Sequence, residues 1–144
     1  MSFSINPYLL FATVSLIIQV IVAVLLFYGY LQKRQLKFEK HGRVMSTAVA
    51  LHMAAIFIIM IPSLIVALIP VFIVPHLSGL TSIVTLIHVP LGLTAVSLGL
   101  WLAVSWRFSG GVEGCFKRRK FMVATIILWL TALVLGIGLF LILY

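Results

Sequence analysis

Acidic residues are almost absent from this chain. Glu39 and Glu113 are the only two in 144 residues. Charge of either sign is scarce, at 8% of residues against 64% hydrophobic. A soluble domain carries roughly 25% charged residues, and a surface this apolar would aggregate in water. Lipid is therefore the expected solvent for most of the chain. Cysteine occurs once, as Cys115, which excludes an intrachain disulfide. In a basic loop read as cytoplasmic, that cysteine is expected to be a reduced thiol without a role. Met1 to Pro7 holds no positive charge, and the apolar run behind it is too long for a secretory leader. That run is expected to stay as a span. No repeat, linker or low-complexity tract is evident, so residues 1–144 read as one domain.

What charge there is lies in two windows. Lys33, Arg34, Lys37, Lys40 and Arg43 form the first, and Arg107, Lys117, Arg118, Arg119 and Lys120 the second. Between and around them run four apolar segments, at about 7–31, 44–69, 83–106 and 121–144. Each approaches or exceeds the roughly 20 residues that an α-helix needs to cross the hydrocarbon core. Only helices and closed barrels satisfy their backbone groups in lipid, and the continuous apolar runs lack the alternation of barrel strands. The expected fold is thus an all-α membrane protein with four transmembrane helices. The middle loop and both ends have no Lys or Arg. The positive-inside rule then places both basic loops in the cytoplasm and both termini outside, and the expected location is the plasma membrane.

Aromatic residues agree with that orientation. Phe27, Tyr28, Tyr30, Trp101 and Trp106 mark the inner headgroup level, and Tyr8, Phe140 and Tyr144 the outer one. Pro70 and Pro75 are expected to stop the second span, and Thr81 or Ser82 to cap the third. Pro62 and Pro90 fall inside spans and are expected to kink them. The basic residues Lys33, Arg34, Lys37, Lys40, Arg43, Lys117, Arg118, Arg119 and Lys120 are candidate contacts for anionic lipid or partner subunits. Their loop placement argues against nucleic acid as the partner.

No Asp, Glu, Lys or Arg lies inside a span. Carriers and pumps need such groups in the membrane, and voltage sensors need arginines. No nucleophile with an oriented base is visible either, so the chain is not expected to be an enzyme by itself. Four histidines remain. His52 and His88 lie within spans, His41 begins the second, and His76 sits in the outer loop PVFIVPHLSGLTS. On the second span His41, Met45, Ala48, His52 and Ala55 share one face; on the third, His88, Gly92, Ala95, Gly99 and Ala103 do. Gly92, Ala95, Gly99 and Ala103 are the expected helix-packing surface. A histidine on a stripe of small residues also suits haem, which makes His52 and His88 candidate axial ligands. Their α-carbons are expected to differ in height by roughly 8 Å in a core of ~30 Å. His76 and His88 form a candidate metal pair. The competing reading is a neutral imidazole that bonds a neighbouring backbone carbonyl and holds helices together.

Three segments, HGRVMSTAVAL from His41, LIHVPLGL around His88, and KRRKFMVATIILWLTALVLGIGLFLILY at the end, resemble the YozB-like (CtaM-like) family of small multi-span membrane proteins. The matching positions are His41, Arg43, Met45, Thr47, Ala48, His88, Trp129, Gly136 or Gly138, and Tyr144, over the last two thirds of the chain. The chain departs from that pattern at Phe116 and Lys117, where the family often has a histidine, at His52, and in its shorter outer loop. The resemblance implies an integral membrane protein linked to respiratory oxidases, in some members through assembly or maturation of the haem-containing enzyme. The expected function is accordingly a non-catalytic accessory or assembly subunit of a larger membrane redox complex. The alternatives are a purely structural peripheral subunit with packing histidines, and a small b-type cytochrome.

Overall fold

The computed structural model describes residues 7–75, 77–108 and 112–144. Its elements are α1 (Pro7–Arg34), α2 (Phe38–Ala55, running on through Ile56–Met60, Ile61–Ser63 and Leu64–Ile73), α3 (Leu80–Phe108), α4 (Val112–Lys117) and α5 (Arg119–Leu143). No strand occurs among the described residues. Four helices are long and apolar enough to cross a membrane: Tyr8–Arg34, Phe38–Pro70, Leu80–Phe108 and Arg119–Leu143. The fold is the all-α, four-span architecture expected.

The helices reach further than hydropathy alone implies. At 1.5 Å per residue, the 28 residues of α1 extend ~42 Å, which covers the hydrocarbon core and both headgroup layers. Lys33 and Arg34 therefore form the last turn of α1, and Lys40 and Arg43 sit on the first turns of α2. The first basic loop, expected over about 32–43, shrinks to residues 35–37. The second, expected over about 107–120, contains α4. Hydropathy marks where lipid ends, but backbone hydrogen bonding continues into the headgroups.

The α1–α2 link is a tight helix ending. Lys37 N–H donates to Gln32 C=O at 3.0 Å and Leu36 N–H to Lys33 C=O at 3.0 Å, the paired bonds of a Schellman motif. Leu36 takes the left-handed position, at φ 60°, that glycine usually fills. The second and third spans depart from expectation at their ends beside the middle loop. Pro70 does not stop the second span; the helix opens into wide turns over Leu64–Ile73 and runs past it. A proline ring clashes with the carbonyl four residues back, and a wider turn moves that carbonyl away. The same device, Ile56–Met60, precedes Pro62. Ile61 N–H reaches Ile56 C=O and Val74 N–H reaches Ile69 C=O, each five residues back. Thr81 and Ser82 do not cap α3 either, because the helix begins at Leu80 and Ser82 is fully buried inside it.

The packing order is a ring in which α1 meets α2, α2 meets α3, α3 meets α5, and α5 returns to α1. Val22, Leu26, Ala48, Val49, Ala95 and Trp129 make the core. On α1 the inward face is Gln19, Val22, Leu26, Gly29 and Gln32; on α5 it is Thr125, Trp129, Ala132 and Leu139. The remaining surface is largely apolar and exposed, as lipid-facing helices require. Thr13, Thr47, Thr85, Thr94, Thr125 and Thr131 each turn the hydroxyl back to the carbonyl four residues earlier, so these polar groups are satisfied within their own helices.

Candidate functional site

The antiparallel order brings the C-terminal ends of α1 and α3, the N-terminal ends of α2 and α5, and α4 to one end of the bundle. Charge gathers there. Arg34, Lys37, Lys40, Arg43, Lys117, Arg119 and Lys120 are exposed, while Lys33 and Arg118 are half-buried. Arg43 pairs with Glu39 one turn away, and Lys37 Nζ donates to Gln35 Oε1 at 2.9 Å. The Arg118 guanidinium lies 5.9 Å over the Trp101 ring, within cation–π range, and its Nη1 reaches the Ser105 carbonyl at 3.5 Å. Trp101 in turn meets Phe121 edge-on at 5.4 Å. Arg118 thus ties α3 to the start of α5.

Two cavities lie along the bundle, and Trp129 lines both. The one nearer the basic end, about 550 Å³, is lined by His41, Met45, Trp106 and Arg119 among others. The one toward the neutral end, about 360 Å³, is lined by Gln19, His52, Thr85, His88, Gly92 and Gly136 among others. The fold therefore brings His52 and His88 to one cavity, despite the height difference expected from sequence. His76 lies outside the described residues. Among the described residues no group of three or more His, Cys, Asp or Glu gathers as a metal site.

The histidines differ in what holds them. His88 Nδ1 lies 2.9 Å from Ala132 C=O on α5, and His41 Nδ1 lies 2.8 Å from Gly29 C=O on α1. A carbonyl only accepts, so both rings carry their proton on Nδ1 and donate it across a helix–helix contact. Each is an interhelical strut, with Nε2 as its lone-pair atom. His88 also rests against Gly136, where an added Cβ would come within 3.2 Å of its Cε1. His52 has no such anchor. Its ring leans on Trp129, with centroids 4.4 Å apart and planes at 50°. Its buried Nδ1 has no hydrogen-bond partner among the described residues, and neither do Trp129 Nε1 or Gln19 Nε2.

The packing stripe on α3 divides. Ala95 and Gly99 are buried, with Gly99 wedged between Trp129 and Val49, each 3.3 Å from an added Cβ. Ala103 is half-buried. Gly92 faces open space, with nothing within 4 Å of an added Cβ, and lines the neutral-end cavity instead. Gln19 and Trp129 were not singled out as site residues by sequence. A lone amide in an apolar span was the available signal for Gln19; for Trp129 the signal was its position in a stripe with Thr125 and Ala132.

A haem held by His52 and His88 fits these residues poorly. An axial histidine is oriented by a hydrogen bond at its far nitrogen, and His52 Nδ1 has none. Neither Lys nor Arg lines the cavity to meet haem carboxylates, and an unpaired buried charge is costly. What the arrangement offers is neutral: donors and aromatic faces in an apolar cleft. Set against protein-family profiles, characterised proteins and solved structures, the chain matches none.

Proposed function

We propose that the chain is a non-catalytic accessory or assembly subunit of a larger membrane-embedded redox complex, a respiratory oxidase or a related oxidoreductase, in the plasma membrane. The carrying observation is the bundle interior. Toward the neutral end its described lining side chains are apolar groups, hydroxyls, two imidazoles, an indole and an amide, with no Asp, Glu, Lys or Arg. Such an interior packs and positions; it does not supply the charges that ion transport requires. The resemblance of three segments to the YozB-like family supports the link to oxidases. The apolar outer faces and the cationic end suit partner helices and anionic headgroups.

The second reading, a purely structural subunit, is favoured by the His88–Ala132 and His41–Gly29 struts. Solubilisation in mild detergent followed by a native gel tests both. The proposal expects migration in an assembly much larger than the chain, together with a fall in assembled oxidase when the chain is deleted. The structural reading expects the same migration with the oxidase level unchanged. A lone monomer on the native gel excludes both.

A further inference from the structure

The neutral-end cavity is asymmetric in its hydrogen-bonding demand. Gln19 is 8% exposed, His52 5% and Trp129 4%, and all three line the cleft. The indole Nε1–H and the amide Nε2–H can only donate. Neither finds an acceptor among the described residues. A buried donor without an acceptor is destabilising, so a cleft with two such groups is complementary to a guest that brings acceptor atoms. The other constraints narrow the guest further. With neither Lys nor Arg in the lining, a phosphate or carboxylate is disfavoured. Gly92 leaves a bare strip of wall, and Trp129 and His52 present ring faces, which suits a flat ring. The cleft lies between membrane-spanning helices, so the guest is lipid-soluble.

We propose that this cavity binds an uncharged, lipid-soluble quinone, whose ring oxygens accept hydrogen bonds from Gln19 and Trp129, with His52 as a third contact. The apolar tail leaves along the helices toward lipid. This assignment goes beyond the subunit reading and does not depend on it, because the cavity is formed within the single chain. Binding requires no redox change of the protein.

The full chain, purified in detergent, is titrated with decylubiquinone while its thermal unfolding is followed. The expected result is a saturable rise in midpoint that decylbenzene, which has the same tail and a ring without oxygens, does not produce. Gln19→Leu and Trp129→Phe each weaken the apparent affinity by roughly three- to tenfold, the loss of one hydrogen bond. Gln19→Leu holds or raises its unliganded midpoint, since it removes a buried amide N–H without a partner, and so separates lost binding from lost folding. Thr131→Val, on the exposed face of α5, binds as the parent does. Equal effects of decylbenzene and decylubiquinone overturn the proposal, as do parental affinities in both cavity variants. Competition by dioctanoylglycerol at equal concentration also overturns it, since lipid ester carbonyls would then be the acceptors recognised.

Discussion

Replacing His52 and His88 in turn by leucine separates a ligand-facing histidine from a strut. His88→Leu removes an interhelical hydrogen bond of 2.9 Å to Ala132 C=O. Such bonds between membrane helices contribute about 0.6 kcal/mol on average and up to about 1.7. Ala132 C=O keeps its own helix, so no orphan is created, and the cost is the bond itself, about 1 kcal/mol. His52→Leu works in the opposite direction. It removes a buried Nδ1 that has no partner, relieving about 1–3 kcal/mol of desolvation. It also removes the ring contact with Trp129, about 0.5–1.5 kcal/mol. The net is neutral to stabilising by about 1 kcal/mol. The two variants should therefore differ by about 1–2 kcal/mol, or about 2–8 °C in midpoint at 2–4 °C per kcal/mol for a chain of this size. Far-ultraviolet circular dichroism of thermal unfolding in detergent, without added ligand, reads the gap. If His52→Leu loses as much stability as His88→Leu, then His52 has a strong partner, and the reading of this cavity is wrong.

Other expectations follow from the same geometry. Gly42→Ala drives a methyl into the Trp106 ring, closer than real Cβ contacts come, and should cost about 1–3 kcal/mol, whereas Gly138→Ala meets open space and should gain about 0.5–1 kcal/mol of helix propensity; the order of their unfolding midpoints checks both. Leu36→Gly relieves a left-handed backbone at an exposed turn and should stabilise by about 0.5–1 kcal/mol, read by the same unfolding curves; a loss would show that Leu36 makes a contact worth more than its strain. For orientation, Ser78→Cys in a Cys115→Ser background should react with a membrane-impermeant maleimide on intact cells, and Lys117→Cys should react only after lysis. The reverse pattern would invert the topology.

The parts of the structure that were legible in sequence are those governed by solvent. Four apolar runs, set apart by two charged windows and one neutral proline-containing loop, became four helices, and the face His41, Met45, Ala48, His52, Ala55 does turn inward, with all but Met45 buried. Helix ends were less legible. Lys33, Arg34, Lys40 and Arg43 read as loop because charge leaves the hydrocarbon, yet the helical backbone continues for another turn in the headgroups. Pro70 read as a stop because the cost of a proline depends on whether the helix can widen, which composition does not reveal. The candidate site was half visible. His52 and His88 stood out as ionisable groups in spans, but their inequality depends on which carbonyl each ring meets across the bundle. Gly92 shows the same limit. Its spacing matched a packing stripe, and only the ring order of the helices shows that this stretch of the stripe opens on a cavity.

We propose that the chain belongs to a larger redox assembly without carrying a haem of its own. The absorption spectrum of the mildly solubilised native assembly, taken beside its subunit composition, tests it most directly. The chain is expected to copurify with a haem-containing oxidoreductase, and the Soret band to stay with the partner subunits in full strength when His52→Ala replaces the parent chain. A chain that purifies alone and colourless, or a Soret band that belongs to this chain and disappears with His52→Ala, would contradict it.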